Sequence, residues 1–132
     1  MEDCIFCKIA KGQIPSHKIY EDDNYIGLLD IFPSHEGQTL IIPKQHVTSK
    51  FSDADSSTLL GLIEVGQKVA KNLETKLPDI ARCLVVIEGL EVDHLHLKLF
   101  PVPNSNTHGF THAGEKASEE ELKQLQSMLE NK

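Results

Sequence analysis

The sequence predicts an α+β domain, and three patterns support this prediction. Strict alternation of apolar and polar side chains over residues 92–100 is typical of a β-strand. Residues 17–20 and 24–29 flank a charged turn and predict a β-hairpin. Apolar residues at helical spacing, from near Asp53 or Asp55 to about Leu77, predict one long helix.

The remaining elements complete a sheet of about five antiparallel strands. Residues 38–42 predict a buried strand that Pro43 ends, and residues 82–87 predict a strand before a turn. Ser118 and Glu121 form a capping-box pattern that opens a C-terminal helix. We therefore expect an antiparallel sheet with one long helix and a short C-terminal helix.

Length and composition indicate one globular domain. The 132 residues are enough for one core and too few for two, so a single domain over residues 1–132 is expected. A content of 39% hydrophobic and 25% charged residues is that of a globular protein. The longest apolar runs, such as 84–87, are far too short to span a bilayer, which excludes a membrane span.

The charge balance restricts the expected partners and location. A formal net charge of −7 argues against a basic surface, so no nucleic-acid duplex is expected and any nucleotide ligand should be small. Residues 1–4 include two acids where a secretory signal carries basic residues. We therefore expect a cytoplasmic protein, present also in the nucleus if the source is eukaryotic.

The alternating strand places reactive side chains on one face. His94, His96 and Lys98 share that face, whereas the leucines between them point into a core. Such residues are common on the solvent face of an amphipathic strand. The same spacing also lets two imidazoles act on one small group, as metal ligands or as a nucleophile and its partner.

Cysteines near the N-terminus extend this set. Cys4 and Cys7 form a Cys-x-x-Cys pair, and His46 follows an apolar run. Three cysteines cannot all pair, and without an export signal such a pair is more often a metal clip or a redox pair than a structural disulfide. Cys83 lies within an apolar run and is expected to be a small core residue.

Five motifs, in order, resemble those of the histidine triad (HIT) family. They lie at residues 4–9, 20–23, 29–31, 39–46 and 94–96. The motif-bearing part covers about 4–101, and 102–132 forms a C-terminal loop and helix. The resemblance implies a HIT-like fold and an enzyme that opens a phosphoramidate, anhydride or ester at the α-phosphorus of a purine nucleotide conjugate, by hydrolysis or nucleotidyl transfer.

The resemblance assigns the nucleophile to the middle histidine of the motif, which is His96. In that scheme His96 attacks phosphorus, and water or an acceptor resolves the nucleotidyl-histidine. Imidazole suits both steps because it is nucleophilic near neutral pH and departs readily once protonated. The backbone carbonyl of His94, or a nearby group, has to hold one ring nitrogen so that the other faces the substrate.

Substrate contacts follow from the same resemblance. Asp30 matches the acidic residue that binds the ribose hydroxyls, although an Asp after a strand also often caps a turn. The positions that match the purine pocket are Ile5, Phe6, Ile9 and Ile31. Each of these apolar side chains could equally belong to the core.

The resemblance also implies a structural zinc ion. Its ligands would be Cys4, Cys7, His46 and His94, a closed set with no open position for catalysis. The alternative is a thioredoxin-like redox pair, which expects its Cys-x-x-Cys between a strand and a helix. No strand is predicted before Cys4.

Three positions depart from the family pattern. Lys98 stands where the third histidine of the triad is expected, and Gln38 stands where relatives often carry another active-site histidine. Lys98 can contact a phosphate oxygen as a point charge, while Gln38 can form hydrogen bonds but cannot titrate. Glu91 replaces part of a phosphate-binding segment, and we expect its carboxylate to point away from the site.

Two functional classes stay open at this point. The first is a HIT-type hydrolase or transferase that uses His96. The second is a nucleotide-binding or scaffold protein that has lost its catalytic residues at Gln38 and Lys98. A zinc-dependent nucleic-acid reader is disfavoured by the missing basic surface.

The resemblance also implies a homodimer with the long helix at its interface. His35, His108 and His112 have no assigned role, and the last two are expected to be solvated loop residues.

Overall fold

The fold is built on one antiparallel sheet, seen in a computed structural model that describes residues 3–106, 109–110 and 114–130. Its strands are β1 (Lys18–Glu21), β2 (Tyr25–Leu29), β3 (Thr39–Pro43), β4 (Ile80–Val86) and β5 (Leu97–Pro103). The order across the sheet is β1-β2-β3-β5-β4, with every neighbour antiparallel. The predicted α+β class is confirmed. The prediction for His108 and His112 concerns positions outside the described residues.

Two of the helices match their predicted positions. The helices are α1 (Ile5–Ala10), α2 (Ser56–Lys76) and α3 (Glu119–Leu129). Asp55 caps α2 by accepting the backbone N–H of Thr58, and Leu77 is extended because Pro78 follows it. Ser118 caps α3 by accepting the N–H of Glu121.

Helix α1 was not predicted, because six residues are too few for a helical period to be visible. Its apolar Phe6 and Ile9 are buried, and they pack against Ile26, Leu40 and other residues of β2 and β3. Helix α2 packs on the opposite face of the sheet, against Leu97 and its neighbours. The sheet is therefore covered by a long helix on one face and by a short helix on the other.

The predicted strand over residues 92–100 is wrong in its first half, since β5 begins only at Leu97. Continuing the β3–β5 register places Pro43 opposite Leu95, and proline has no N–H to donate. The Pro43 carbonyl accepts a hydrogen bond from His94 Nε2 at 2.8 Å, and the Leu95 amide donates to the Val47 carbonyl, also at 2.8 Å. The predicted alternation of faces is nevertheless confirmed, because Leu95 packs beneath α2 while His96 packs against Phe6 of α1.

No helix in the described ranges combines the length and the apolar character that crossing a bilayer requires.

Candidate functional site

Four side chains from three parts of the chain meet beside α1. Cys4 caps α1 and its Sγ accepts the N–H of Cys7, one turn later, at 3.4 Å. His46 follows β3 and His94 precedes β5. One ligand atom from each of the four residues lies within 4.8 Å of all the others. The sequence-predicted ligand set is therefore brought together in space.

The separations in this cluster fit a tetrahedral metal ion. The Sγ of Cys7 lies 3.2 Å from Nδ1 of His46 and 3.5 Å from Nδ1 of His94. The Sγ of Cys4 lies 3.3 Å from the same His94 nitrogen. Tetrahedral zinc bonds to sulfur and nitrogen would separate the two atoms by about 3.6 Å. The cluster could therefore hold a metal ion without rearrangement of its backbone.

The tautomer of His94 is set by a backbone carbonyl. Its ring is fully buried, and Nε2 donates to the carbonyl oxygen of Pro43 at 2.8 Å. Burial lowers the pKa of His94, so the ring is neutral near pH 7 and Nδ1 presents a lone pair to the two sulfurs. Burial also raises the pKa of the Cys7 thiol, an effect that a bound cation would reverse.

A cavity of about 400 Å³ lies on the α1 face of the sheet, next to this cluster. Seven of the predicted site residues line it: Ile5, Phe6, Ile9, Asp30, Ile31, His96 and Lys98. Ile5 and Ile31 are 45% and 70% exposed, so they are not core residues. Phe6 and Ile9 are buried in the core and also contribute to the cavity wall.

The His96 ring is held through Nδ1, whereas the His94 ring is held through Nε2. Nδ1 of His96 donates to the backbone carbonyl of His94 at 2.7 Å, which is one of the two kinds of acceptor that the sequence argument left open. The lone pair of the neutral ring is therefore on Nε2. The ring of Phe6 packs edge-on against it, with centroids 5.1 Å apart. His96 is thus a fixed imidazole in the wall of the cavity.

Gln38, which was expected to bind substrate, is not among the described residues that line the cavity, and its contact with substrate stays a prediction. It is buried, and its Oε1 accepts hydrogen bonds from the Ser34 N–H and hydroxyl and from the His35 N–H. These donors fix the amide orientation, so Nε2 donates to Oδ2 of Asp30 at 2.7 Å. The other oxygen of Asp30 accepts the Phe32 N–H. Gln38 therefore positions Asp30.

Sequence reasoning missed Glu88. Its carboxylate lies 3.3 Å from the ammonium of Lys98, and both residues line the cavity. Partial burial raises the pKa of Glu88, but the hydrogen bond and charge of Lys98 outweigh it and lower that pKa overall. Val86 pairs with Lys98 in the β4–β5 ladder, so extending that hairpin register could have found the contact.

The loop from residue 87 to residue 93 differs from its prediction in one respect. Glu91 is exposed and lines the cavity, whereas its carboxylate was expected to point away from the site. The loop is anchored by Ser49, which donates to Asp93 Oδ1 and to the Gly89 carbonyl. Gly89 has φ +57°, and a Cβ there would overlap Ser49. The anchored loop brings Glu91 to the cavity.

Known proteins resemble this chain over most of its length. The HIT domain family matches residues 11–104. Adenosine 5′-monophosphoramidase HNT1 of Saccharomyces cerevisiae is 38% identical over 98 residues, which are 74% of this chain and 61% of that protein. A Zn-bound histidine triad family protein from Mycobacterium smegmatis aligns with a TM-score of 0.74 and 33% identity, over 96% of this chain and 98% of the other.

A third relative adds to this similarity. The histidine triad nucleotide-binding protein from Candida albicans aligns with a TM-score of 0.77 and 33% identity, over 96% of this chain and 94% of the other. The family match therefore covers the sheet, α2 and the cavity-lining segments after α1. The chain belongs to the HIT domain family.

Proposed function

We propose that this protein hydrolyses or transfers the nucleotidyl group of a purine nucleotide conjugate, with His96 as the nucleophile. The observation that carries the proposal is the hydrogen bond from His96 Nδ1 to the His94 carbonyl, which leaves a lone pair on Nε2 of a cavity-lining ring. An imidazole fixed in this tautomer is suited to attack phosphorus near neutral pH. The phosphoramidase activity named for the yeast relative supports the reaction class.

The substrate would bind with its nucleoside over α1 and β2. Ile5, Ile9 and Ile31 offer apolar surface to a purine ring. Asp30, held by Gln38, has carboxylate oxygens that can accept hydrogen bonds from ribose hydroxyls. Its role as a turn cap is compatible with this contact, because only one of its oxygens accepts the Phe32 N–H.

The reaction would proceed in two displacements at phosphorus. In the first, the Nε2 lone pair of His96 bonds to the α-phosphorus, and the leaving group departs with the electron pair of its bond and takes a proton from water. In the second, water bonds to phosphorus, the electron pair of the P–N bond returns to His96, and a proton passes to solvent. Lys98 would stabilise charge on a phosphate oxygen in both steps.

We also infer that the cluster of Cys4, Cys7, His46 and His94 holds a structural zinc ion. Two thiolates and two imidazoles are a donor set typical of closed zinc sites. The Zn-bound relative from Mycobacterium smegmatis supports this choice of metal. When bound, the ion would link α1 to the segments after β3 and before β5. It would have no open position for substrate.

A nucleotide-binding protein without turnover is the second candidate. One observation favours it, namely that the ammonium of Lys98 is already paired with Glu88 beside His96. If this pairing persists when substrate binds, the transferring phosphoryl group has less positive charge to meet it.

We further propose a homodimer joined along β4 and α2. Strand β4 is an edge of the sheet, where unpaired backbone groups invite another chain. Val85 of β4 is 57% exposed, and Leu60 and Ile63 of α2 are 64% and 44% exposed. A monomer in light scattering at micromolar concentration would contradict this proposal.

Turnover of adenosine 5′-phosphoramidate by zinc-loaded protein tests the enzymatic function. We expect release of AMP by the wild type and a loss of at least about 10³-fold in kcat for His96→Ala, because the nucleophile is removed. AMP affinity, measured by calorimetry, should change little. His35→Ala is the control, since His35 does not line the cavity. AMP binding without turnover by the wild type would select the second candidate.

A further inference from the structure

The cavity has two sides that differ in polarity. His96 immediately precedes β5, which lies between β2 and β4 in the sheet. Asp30, after β2, therefore lies on one side of His96, and Glu88, after β4, lies on the other. The first side is largely apolar, with residues of α1 and of the loop after β2. The second side presents Glu88, Glu91 and Val92. A nucleotide whose ribose contacts Asp30 and whose phosphorus meets His96 points its leaving group towards these acids.

The positive charge on this second side is balanced by a carboxylate. Lys98 is the one lysine or arginine among the described residues that line the cavity, and its ammonium lies 3.3 Å from the Glu88 carboxylate. Both side chains of this pair are about one-third exposed, so water does not fully screen it. Glu91 adds a second carboxylate, and no lysine, arginine or histidine in the part of the chain that the structure describes forms an ion pair with it. The net charge of this side is therefore negative.

We propose that Glu88 and Glu91 select the leaving group by charge, favouring uncharged and cationic amines over polyphosphates and other anions. This proposal rests on the proposed function, whose leaving group it specifies. An anionic leaving group would have to approach Glu91 or separate Lys98 from Glu88, and either event has an electrostatic cost. A cationic amine would be attracted to the same carboxylates.

With a nucleoside 5′-phosphoramidate as substrate, this selection acts on the departing amine. In the first displacement the bond between the α-phosphorus and the amine nitrogen breaks while His96 Nε2 bonds to phosphorus. The electron pair stays on nitrogen, which takes a proton from water and leaves as the free amine. A positive group at the far end of that amine would lie closest to Glu91 and Glu88. These two carboxylates determine specificity and do not form bonds to the reacting atoms.

Three AMP conjugates of matched length test the proposal. AMP is joined through nitrogen to butylamine, to 1,4-diaminobutane or to 4-aminobutanoate, so that only the distal charge changes. Values of kcat/KM are measured for the wild type, Glu91→Gln and Glu88→Gln, at low and at high salt. Glu64→Gln serves as the matched control, because Glu64 is exposed on α2 and does not line the cavity.

We expect the wild type to prefer the diamine conjugate to the carboxylate conjugate by about tenfold at low salt, as charges about 6 Å apart and near the surface allow. Glu91→Gln should reduce that ratio by about threefold to tenfold, and 0.5 M salt should reduce it similarly. Glu88→Gln should also raise the relative rate on ATP, because Lys98 is then free to meet a polyphosphate. Glu64→Gln should leave the ratio unchanged.

The outcomes separate the two proposals. If no conjugate releases AMP in a His96-dependent manner, the proposed function fails. If all three conjugates are cleaved but their ratio is near one, or is the same in Glu91→Gln and the wild type, the proposed function stands and charge selection is overturned. A ratio that favours the carboxylate conjugate would also overturn it.

Discussion

His94 and His96 are two residues apart, both buried and both held by backbone carbonyls, yet they present opposite ring nitrogens. His94 donates from Nε2 to Pro43 and directs Nδ1 at two sulfurs. His96 donates from Nδ1 to His94 and keeps its lone pair on Nε2 in the cavity wall. The carbonyl that each ring reaches decides whether the imidazole is suited to bind a metal ion or to attack a substrate.

The surroundings of the two rings differ in how open they are to solvent. The His94 cluster is closed, since four ligand atoms face one another and leave no open position. The His96 site opens into a cavity with an apolar side and a charged side. One short segment therefore joins an enclosed cluster of four side chains to a ring that borders an open cavity. Variants that affect only one of the two sites test this division.

The largest expected effect is loss of the metal site. In Cys7→Ser we expect bound zinc to fall well below one ion per chain and Tm to fall by about 10 °C or more, because metal binding contributes to folding free energy. Atomic absorption and calorimetry measure the two quantities. His96→Ala should retain both the zinc and most of the thermal stability.

Cys83→Ser is the matched control for this prediction. Cys83 lies on β4, away from the cluster, where burial raises its pKa to about 11 and keeps the thiol neutral. We expect this variant to keep its zinc. Equal zinc content in Cys7→Ser and Cys83→Ser would show that the cluster does not hold the ion.

A smaller effect is expected at Lys98, which lines the cavity beside His96. Lys98→Gln removes the ammonium that would stabilise a phosphate oxygen, so kcat for adenosine 5′-phosphoramidate should fall by about 10- to 100-fold. Zinc content should not change. Lys98→Arg keeps the charge and should retain more activity than Lys98→Gln. If both variants turn over at the wild-type rate, Lys98 has no part in the reaction.

The smallest effect is expected at Gln38, which we propose affects substrate only through its hydrogen bond to Asp30. Gln38→Ala removes the hydrogen bond to Asp30 Oδ2 and should raise KM by about fivefold, with kcat little changed. A 2′,3′-dideoxyadenosine conjugate separates positioning from general destabilisation. If Gln38 acts by orienting Asp30 towards ribose, the difference between variant and wild type should disappear with this substrate. A persistent difference would contradict that role.

The elements that sequence reasoning located correctly are those with strong local signals. The hairpin of β1 and β2 follows from a charged turn between apolar runs, and α2 follows from helical spacing with Asp55 at its start and Pro78 after its end. Helix α1 is too short to show a period. The start of β5 depends on the proline in a neighbouring strand, which is remote in sequence.

In the candidate site, too, some features follow from local sequence signals and others depend on residues remote in the chain. Its residue types and their order along the chain carry the resemblance to the HIT family, and seven of the predicted residues meet at one cavity. Gln38 lies outside the lining of the cavity and contacts Asp30, Glu91 lies within the lining, and the Glu88–Lys98 pair was missed. Each of these depends on where a loop lies relative to a strand, and side-chain pattern does not encode that position.

The sequence by itself therefore determined the family, the fold class and the four residues of the cysteine–histidine cluster, because periodicity and motif order are local properties of the chain. The tertiary structure alone decided which nitrogen each imidazole presents and which carboxylate meets Lys98. Those choices depend on hydrogen bonds and ion pairs to backbone and side chains up to 51 residues away, such as the bond from His94 to Pro43. Only the folded chain brings such partners within reach.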